Sequence, residues 1–595
     1  MFPVIGSNMT KLYPEYPDSN IPGGQAKVVS LAAYSSKGSY QSMKKWLQEC
    51  MRFHPACNAA RESRGQRLPK RVLDVGRYDS DPGSVYDRCD PVCIYESHGE
   101  QATYIALSHC WGARGDKNIL KCTKATIQEF KRWIAWERLP KTFQNAIHIT
   151  RLLGIRYLWI DSLCIIQDSA NDWAEQCEQM SAVYASALLT ISATASYDSS
   201  GGCFHESLRA IQWEYENELG EPALLCIRQA HDHSAFGEKG ARKIVRTGED
   251  YRSEVPMLPA PVFQRAWCHQ ERLLGVRILH YADTELVYEC LTGTNCECGA
   301  LENWQLDDAI IPRRAMSASP ESTHFLNMPQ PSVPLPRIWQ DVVESYSAKY
   351  LTFDADKLPA LAGLAKRFQH YGMQAYHAGI FEAGSSTEYL IQSLLWTSSS
   401  PEKDRRPSSY VAPSWSWASV LGRVSFPNDS SGFDGLKPND YVARILKIES
   451  LPENALNPFG RVKSGLLKIE GWMSSGTIQI DPENNFSLNY LLFGGEFIYK
   501  SEPFQCWQPY ESDCHVESTQ LARREKTVAC IWICTTRSRA DPRKIRNLFG
   551  LVIIKEKGTN TWRRVGRCVS LSIVRLPEES HPRPRTMEWQ QISII

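Results

Sequence analysis

The sequence lacks the long apolar segments that carry a chain into or across a membrane. No run of about 18 apolar residues, the length of a membrane span, occurs among its 595 residues. The opening stretch, MFPVIGSNMTKLYPEYPDSN, contains prolines and two acids where a secretory signal has an apolar core. We therefore expect a soluble, cytoplasmic protein without a membrane span.

The sequence also has no excess of charge of one sign. It carries 67 Lys and Arg residues against 66 Asp and Glu residues, a formal net charge of +1 at pH 7, and no long block of either sign. Nucleic-acid-binding proteins present a concentrated basic surface to the phosphate backbone. We therefore expect no nucleic-acid partner.

Four common catalytic motifs are absent: GxxxxGK[ST], GxGxxG, GxSxG and HExxH. They supply, in turn, a phosphate cradle, a dinucleotide-binding turn, a nucleophile elbow and a pair of zinc ligands with a general base. Their absence argues against nucleotide hydrolysis, Rossmann redox, α/β-hydrolase and zincin chemistry. We predict no bound cofactor.

Cysteine and tryptophan, by contrast, are plentiful. Many of the 19 cysteines lie inside apolar patterns such as LWIDSLCIIQD and VACIWICTT, which predicts reduced, buried thiols in a chain without a secretory signal. The 18 tryptophans predict a core built on large, rigid side chains. His231 and His233 form an isolated pair, which we expect in a loop.

One short segment has the residue types of a zinc site. Cys50, His54 and Cys57 form a C-x3-H-x2-C pattern, and Cys296 and Cys298 offer thiols that would complete a set of four ligands. The spacing is not that of a standard zinc finger, and Cys50 also belongs to the apolar face of a helix. We therefore predict no metal and retain Cys50, His54 and Cys57 as candidates only.

Strand-like and helix-like segments alternate between residue 101 and about residue 300. The expected strands are TYIALSHC, IRYLWIDSLCI and LLTISATAS, and the expected helices are KATIQEFKRWI, TFQNAIHITRLLG and DWAEQCEQMSAVYASA. Such alternation predicts βαβ units around a mainly parallel sheet. We expect the strands at 104–110, 156–161 and 188–194 to be neighbours in that sheet, because each is apolar on both faces.

The chain is divided into four parts by these patterns. Residues 1–95 form an N-terminal segment with a short helix and strand, and residues 96–300 form the α/β domain. Residues 301–410 combine a linker with a helical region. Residues 411–595 are expected to be β-rich, because short alternating runs such as GLLKIEGWM and LFGLVIIKE dominate them.

Several segments of the α/β domain, in this order along the chain, resemble the fungal heterokaryon incompatibility (HET) domain family. The matching stretches are YIALSHCWG (104–112), LPKTFQNAIHITRLLGIRYLWIDSLCIIQD (139–168), DWAEQCEQMSAVYASALLTISA (172–193), GGCF (201–204) and QRAWCHQERLLGVRILH (264–280). The resemblance implies a role in non-self recognition between fungal cells, with programmed cell death as its output. The implied partner is a protein of an incompatibility system or a second copy of the chain.

The resemblance also implies a fold. HET domains have been compared with TIR domains, some of which cleave NAD, so we expect a TIR-like or flavodoxin-like α/β core with helical insertions and a β-rich C-terminal part. A TIR-like NAD glycohydrolase is accordingly the alternative function, with NAD as a substrate rather than a cofactor. Whether the chain is an enzyme is left open.

The ends of two expected strands form the candidate pocket. Ligands of open parallel sheets bind beyond the carboxyl ends of the strands, where Ser108, Cys110, Trp111, Gly112 and Asp161 are expected. Side chains alternate along a strand, so Ser108 and Cys110 share one face and the histidine between them faces away from both, which disfavours a Cys-His dyad. Trp111 is also explained as a packing anchor, and Asp161 as a residue that holds a loop by hydrogen bonds.

The helix around DWAEQCEQMSAVY supplies the last candidate, Gln176. At 100° per residue, Trp173 lies on the core-facing stripe, Gln176 borders that stripe and Glu175 points outward. Asp172 and Glu175 have the spacing of a capping box. Members of the resembled family often carry Glu where Gln176 stands, and an amide cannot act as a general base or stabilise a cation by charge. This departure argues against catalysis.

Overall fold

The protein packs into two compact units in a computed structural model. The first contains Met1–Ser169, Val183–Phe263 and Gly275–Ser319, and the second contains Ala170–Ala182, Gln264–Leu274 and Pro320–Ile595. The residues described are 25–30, 37–62, 66–76, 91–112, 119–204, 209–216, 222–228, 233, 236, 260–283, 285–299, 301, 334–382, 388–398, 406–427, 441–455, 457–480, 489–493, 506–512, 527–537, 544–570, 574–575 and 588–595.

The helices lie mostly in the first two thirds of the chain. They are α1 (Lys37–Phe53), α2 (Pro55–Glu62), α3 (Ile127–Phe130), α4 (Lys141–Leu152), α5 (Asp161–Cys164), α6 (Ala170–Ser186), α7 (Ala266–Leu274), α8 (Leu335–Ser347), α9 (Pro359–His370) and α10 (Glu388–Leu394).

The strands of the first unit are β1 (Gln25–Ser30), β2 (Arg71–Asp74), β3 (Cys93–Glu96), β4 (Tyr104–Ser108), β5 (Tyr157–Trp159), β6 (Leu189–Ser192), β7 (Arg209–Glu216), β8 (Pro222–Arg228), β9 (Arg277–Tyr281), β10 (Leu286–Cys290) and β11 (Thr294–Cys296). Those of the second unit are β12 (Tyr376–His377), β13 (Ile380–Phe381), β14 (Thr397–Ser398), β15 (Val424–Ser425), β16 (Ala443–Pro452), β17 (Val462–Ile480), β18 (Asn489–Phe493), β19 (Cys506–Ser512), β20 (Thr527–Arg537), β21 (Lys544–Lys555), β22 (Thr561–Ser570), β23 (Val574–Arg575) and β24 (Glu588–Ile594).

An eight-stranded sheet in the order β11-β10-β9-β6-β4-β5-β2-β3 forms the centre of the first unit. Its inner strands β9, β6, β4 and β5 pair in parallel. Every residue of β4 and of β6 is buried, as expected of parallel strands covered on both faces. The predicted α/β class and the predicted pairing of the strands within 104–110, 156–161 and 188–194 are confirmed.

The order of the parallel strands reverses at one point in the sheet. Along the chain they follow as β4, β5, β6 and β9, and across the sheet they stand as β5-β4-β6-β9. This second-first-third-fourth order is that of flavodoxin-like doubly wound sheets, in which the order reverses between the first and third strands. The reversal here lies between β4 and β6.

Antiparallel strands flank this parallel centre, because β2, β3, β10 and β11 all pair antiparallel to their neighbours. β9 and β10 are joined by only the residues between Tyr281 and Leu286, and a connection this short closes a hairpin but not a parallel crossover. A separate three-stranded sheet has the order β1-β7-β8.

Two predicted elements have different bounds. The predicted strand IRYLWIDSLCI ends at Trp159, and a short helix begins at Asp161, whose side-chain Oδ1 accepts a hydrogen bond from the backbone N–H of Ser162 at 2.7 Å. The predicted helix KATIQEFKRWI is helical only over Ile127–Phe130. There the Thr126 hydroxyl accepts from the Thr123 N–H at 2.9 Å, and such side-chain bonds favour a turn over a longer helix.

Helix α4 covers one face of the parallel strands. Its Phe143 and Ile147 belong to the same buried hydrophobic cluster as Ile105 and Leu107 of β4. The Arg151 side chain, on the last turn of this helix, donates from Nε to the backbone oxygen of Val75 at 2.7 Å. The sheet is thus fixed on this side by both apolar packing and a buried hydrogen bond.

The second unit confirms the predicted β-rich C-terminal part. Its strands close on themselves, since β17 pairs with β20, β20 with β21, β21 with β22, β22 with β24 and β24 with β17. This ring of five is a small barrel, and closing a sheet in this way removes its exposed edges. No helix in the described part of the chain is long and apolar enough to cross a membrane.

One buried arginine ties the barrel to the strand-helix segment before it. Arg564 of β22 is fully buried, and its guanidinium lies 3.8 Å from the centroid of the Trp396 ring. It donates to the backbone oxygen of Trp396 at 2.5 Å and to that of Leu394. A planar fork that stacks on an indole while bonding two carbonyls is a geometry that only Arg provides.

We therefore expect Arg564→Lys to lower the free energy of unfolding by about 2–3 kcal/mol, because it keeps a buried charge and loses its paired donors. The matched control is Arg563→Lys at the neighbouring, half-buried position, which pairs with Glu556 and should cost under about 1 kcal/mol. Thermal melts of both variants make the comparison. Equal melting temperatures would show that the Arg564 fork does not stabilise this unit.

Candidate functional site

The carboxyl edge of the parallel strands is the candidate site. We use this name for residues 108–112, which end and follow β4, together with Asp161, which follows β5. Residues 108–112 leave the sheet beside the reversal of strand order, the position where doubly wound sheets bind their ligands, and Asp161 leaves it at the next strand, β5. The sequence placed these residues at one edge, and the structure brings Trp111 and Asp161 into direct contact there.

Asp161 organises this edge. Its Oδ2 accepts a hydrogen bond from the indole Nε1–H of Trp111 at 2.8 Å, and its Oδ1 accepts from the backbone N–H of Ser162 at 2.7 Å. The His109 ring approaches the same carboxylate, with Nδ1 3.9 Å from Oδ1. The Asp161 side chain is 17% exposed, so the carboxylate reaches solvent while it holds the end of β4 against the start of α5.

Trp111 links the edge to the core. The side chain packs against the buried cluster beneath the sheet, and the ammonium of Lys121 lies 5.3 Å from the indole centroid, within the range of a cation–π contact. Gly112 follows with φ +98°, a backbone conformation that a residue with a Cβ adopts only under strain. The chain therefore turns sharply after the indole, which stays half-buried at the surface.

Ser108 and Cys110 are poorly placed for nucleophilic chemistry. They are 4% and 3% exposed, so neither the hydroxyl nor the thiol is presented to a dissolved substrate. Between them, His109 packs edge-on against Phe143, with ring centroids 5.1 Å apart. These three residues anchor the end of β4 and leave Trp111, Gly112 and Asp161 as the accessible part of the edge.

A buried polar chain that the sequence analysis missed lies at the neighbouring strand ends. The Thr194 hydroxyl is 3.0 Å from His280 Nδ1, and His280 Nε2 is 2.9 Å from Glu289 Oε2. The order hydroxyl, imidazole, carboxylate is that of a hydrolase triad, but Thr194 is fully buried. Because this series of hydrogen bonds is closed to solvent, we interpret it as a structural contact that holds β6 to β9 and β10. No sequence pattern predicted the contact between Thr194 and His280, because a lone threonine two residues after an apolar strand does not indicate a partner.

Gln176 departs from its expected position. It is 3% exposed rather than at the border of the core-facing stripe, and its Nε2 is buried without a hydrogen-bond partner among the described residues. It belongs to the second unit, whereas the other candidate residues belong to the first. Helix α6 begins at Ala170, so Asp172 lies in its first turn and is not the N-cap. The predicted capping box is wrong.

The metal candidates fall into two clusters. Cys50, His54 and Cys57 come together as the pattern suggested, but their fourth neighbour is Cys290 rather than Cys296 or Cys298. Cys296 and Cys298 lie instead in a second cluster with His233 and Glu285. The sequence did not show which of these distant segments lie side by side. Cys290 was therefore missed as the fourth member of the first cluster, and Cys296 and Cys298 were wrongly assigned to it.

Removal of the hydrogen bond between Trp111 and Asp161 should lower the stability of the protein by a measurable amount. Replacing Trp111 by Phe keeps an aromatic ring and removes the only donor of the indole, so we expect the free energy of unfolding to fall by about 1–2 kcal/mol. Trp133→Phe, at an exposed indole, is the matched control and should change it by less than about 0.5 kcal/mol. Thermal melts that rank the two variants equally would remove the structural role of the bond.

Comparison with known proteins agrees with the resemblance seen in the sequence. Residues 104–271 match the family model described as heterokaryon incompatibility protein (HET). No curated protein and no solved structure matches the chain. The matched segment begins with β4 and contains β5, β6 and the whole carboxyl edge. Residues 104–271 of this chain are therefore identified as a heterokaryon incompatibility (HET) domain.

Proposed function

We propose that this protein is an effector of fungal heterokaryon incompatibility, in which its HET domain triggers or regulates programmed cell death. The family match carries the proposal, because residues 104–271 span the parallel strands β4, β5 and β6 and their carboxyl edge. The proposed site of action is the cytoplasm of the fungal cell. The proposed target is a partner protein of the incompatibility system or a second copy of the chain.

The chemistry of the edge supports action by contact. Trp111 is half-buried and rigidly held by Asp161 and Lys121, and tryptophan is among the residues most enriched at the energetic centres of protein interfaces. The nearest nucleophiles, Ser108 and Cys110, are shielded from solvent. An anchored indole beside a partly exposed carboxylate favours recognition of a protein surface over bond-making chemistry.

A TIR-like NAD glycohydrolase is the second candidate. The flavodoxin-like strand order favours it, because such sheets bind nucleotides where the order reverses, and the Asp161 carboxylate contacts Trp111, which follows a strand at the reversal. A carboxylate there can accept hydrogen bonds from ribose hydroxyls. The absence of an acid at position 176 weighs against it, since the amide of Gln176 supplies no charge to stabilise a cationic transition state.

The effector proposal predicts a loss of toxicity when the edge is disturbed. We expect induced expression of the full chain to arrest a fungal host, and Asp161→Asn to relieve the arrest, because the neutral amide weakens the bonds to Trp111 and Ser162. Asp168→Asn is the matched control: this exposed carboxylate accepts the backbone N–H of Lys124 at 2.8 Å, and its variant should stay toxic. Colony growth is scored at equal protein level.

Two outcomes would contradict the effector proposal. One is normal growth of cells that express the wild-type chain at high level. The other is equal toxicity of the Asp161 and Asp168 variants, which would separate the activity from the carboxyl edge.

The NAD proposal is tested with Gln176→Glu. We expect neither the wild-type chain nor this variant to release nicotinamide from NAD, since one added carboxylate does not complete a site whose nucleophiles, Ser108 and Cys110, are shielded. Gln179→Glu, on an exposed position of the same helix, is the control for the added charge. Turnover of NAD by the purified wild-type protein would overturn the preference for an effector and establish the enzyme.

The same variant has a pH-dependent stability. Burial raises the pKa of a carboxyl introduced at position 176 above its unfolded value, so the loss of stability is absent below the unfolded pKa and grows as the pH rises towards the folded pKa. Above the folded pKa we expect a loss of roughly 2–3 kcal/mol. Melting temperatures at acid and neutral pH measure this, and a loss that is the same at both would contradict the burial of this side chain.

A further inference from the structure

We propose that this protein binds two zinc ions, one at each end of strand β10. The first zinc cluster is Cys50, His54, Cys57 and Cys290, and the second zinc cluster is His233, Glu285, Cys296 and Cys298. In each cluster the four potential ligand atoms all lie within 4.8 Å of one another. The proposal concerns the architecture of the first unit and does not depend on the effector function.

The first zinc cluster gathers side chains from distant parts of the chain. Cys50 lies near the end of α1, His54 in the break between α1 and α2, and Cys57 in the first turns of α2. Cys290, the last residue of β10, is 236 residues further along than His54, and its Sγ is 3.4 Å from His54 Nδ1. The break between the helices directs the histidine to the same point as the two flanking thiols.

The spacing suits tetrahedral zinc. With Zn–S bonds of about 2.3 Å and Zn–N bonds of about 2.0 Å, ligand atoms around one zinc lie roughly 3.5–3.8 Å apart. The Cys290 to His54 distance of 3.4 Å is close to this value and far longer than a covalent bond. Three thiolates and one imidazole form the Cys3His set of structural zinc sites, in which the protein fills all four positions.

The surroundings of the first zinc cluster match its charge. Arg277 is 1% exposed, and its guanidinium donates to Cys50 Sγ at 3.2 Å and to the side-chain oxygen of Asn58 at 2.6 Å. Zinc with three thiolates and a neutral imidazole carries one negative charge, which offsets the buried guanidinium. The backbone N–H of Thr292 donates to Cys290 Sγ at 3.4 Å, an outer contact of the kind that orients metal ligands.

The second zinc cluster lies at the start of β10 and in the adjoining hairpin. Cys298 Sγ is 3.5 Å from His233 Nε2, and Cys296 Sγ is 3.2 Å from Cys298 Sγ. Glu285 presents Oε1 to His233 at 2.5 Å, while its Oε2 accepts from the backbone N–H of Cys298 at 2.8 Å. One carboxylate oxygen is thus directed to the metal position and the other is held by the backbone.

Zinc at these positions would bind together the antiparallel side of the sheet. β10 is bounded by Glu285 and Cys290, so one ion would attach its beginning to the hairpin of Cys296 and Cys298 and to His233, and the other would attach its end to α1 and α2. The five cysteines of the two clusters are not joined in disulfides. In a reducing compartment, metal ligation provides the long-range cross-links that disulfides provide elsewhere.

Zinc content of the full-length protein, purified without chelators and desalted after exposure to zinc, is the first measurement. We expect two zinc ions per chain, one per chain in Cys290→Ser and one in Cys298→Ser. Cys203→Ser is the matched control, because Cys203 is a buried thiol of the same unit whose burial raises its pKa to about 12, and it should retain both ions.

A measurement on the wild-type chain keeps the proposal testable when a variant fails to fold. X-ray absorption at the zinc edge should give an average of about 2.5 sulfur ligands per zinc near 2.3 Å, with nitrogen or oxygen ligands near 2.0–2.1 Å. A wild-type chain that holds no zinc would overturn the proposal. A single zinc that Cys290→Ser removes and Cys298→Ser retains would overturn the second zinc cluster, and the reverse pattern would overturn the first.

Discussion

The parallel backbone hydrogen bonds between β4 and its two neighbours, β5 and β6, determine the candidate site. Because these strands run in the same direction, their carboxyl ends emerge at one edge, and residues far apart in sequence meet there. Trp111 and Asp161 are fifty residues apart, yet their contact needs only that β4 and β5 be adjacent and in register. The indole-to-carboxylate bond then fixes the segment after β4, and Gly112 turns the chain away without strain.

The elements that were predicted from sequence are those with a strong local pattern. The fully apolar runs YIALS and LTIS indicated buried parallel strands, and the apolar spacing of α4 indicated a helix against them, because burial on two faces or on one stripe leaves a direct trace in residue order. The edge position of Asp161 followed from the same argument. For these elements the local sequence pattern and the tertiary structure agree.

The elements that were missed depend on contacts that no local pattern encodes. The strand that was predicted to include Asp161 ends at Trp159, because the Asp161 side chain accepts a hydrogen bond from the next backbone N–H and starts a helix. Helix α3 is shorter than predicted because Thr123 and Thr126 form a hydrogen bond with one another. Gln176 is buried although its residue type favours a border position. Cys290 joins Cys50, His54 and Cys57 only through the hairpin that places β10 beside β9, so its partnership is a property of the sheet order rather than of spacing.

The first unit thus has a parallel centre, whose carboxyl edge is the candidate site. Its antiparallel side contains the residues of the first and second zinc clusters. We propose that Trp111, Gly112 and Asp161 form the working surface of the HET domain. The most direct test is a scan of all single substitutions over residues 104–271 in a fungal host, selected for survival of induced expression, with protein abundance measured in parallel. We expect the substitutions that restore growth without lowering abundance to be concentrated at these three positions. A concentration of such substitutions on the outer surface of α4, with the carboxyl edge tolerant of change, would contradict this role of the edge.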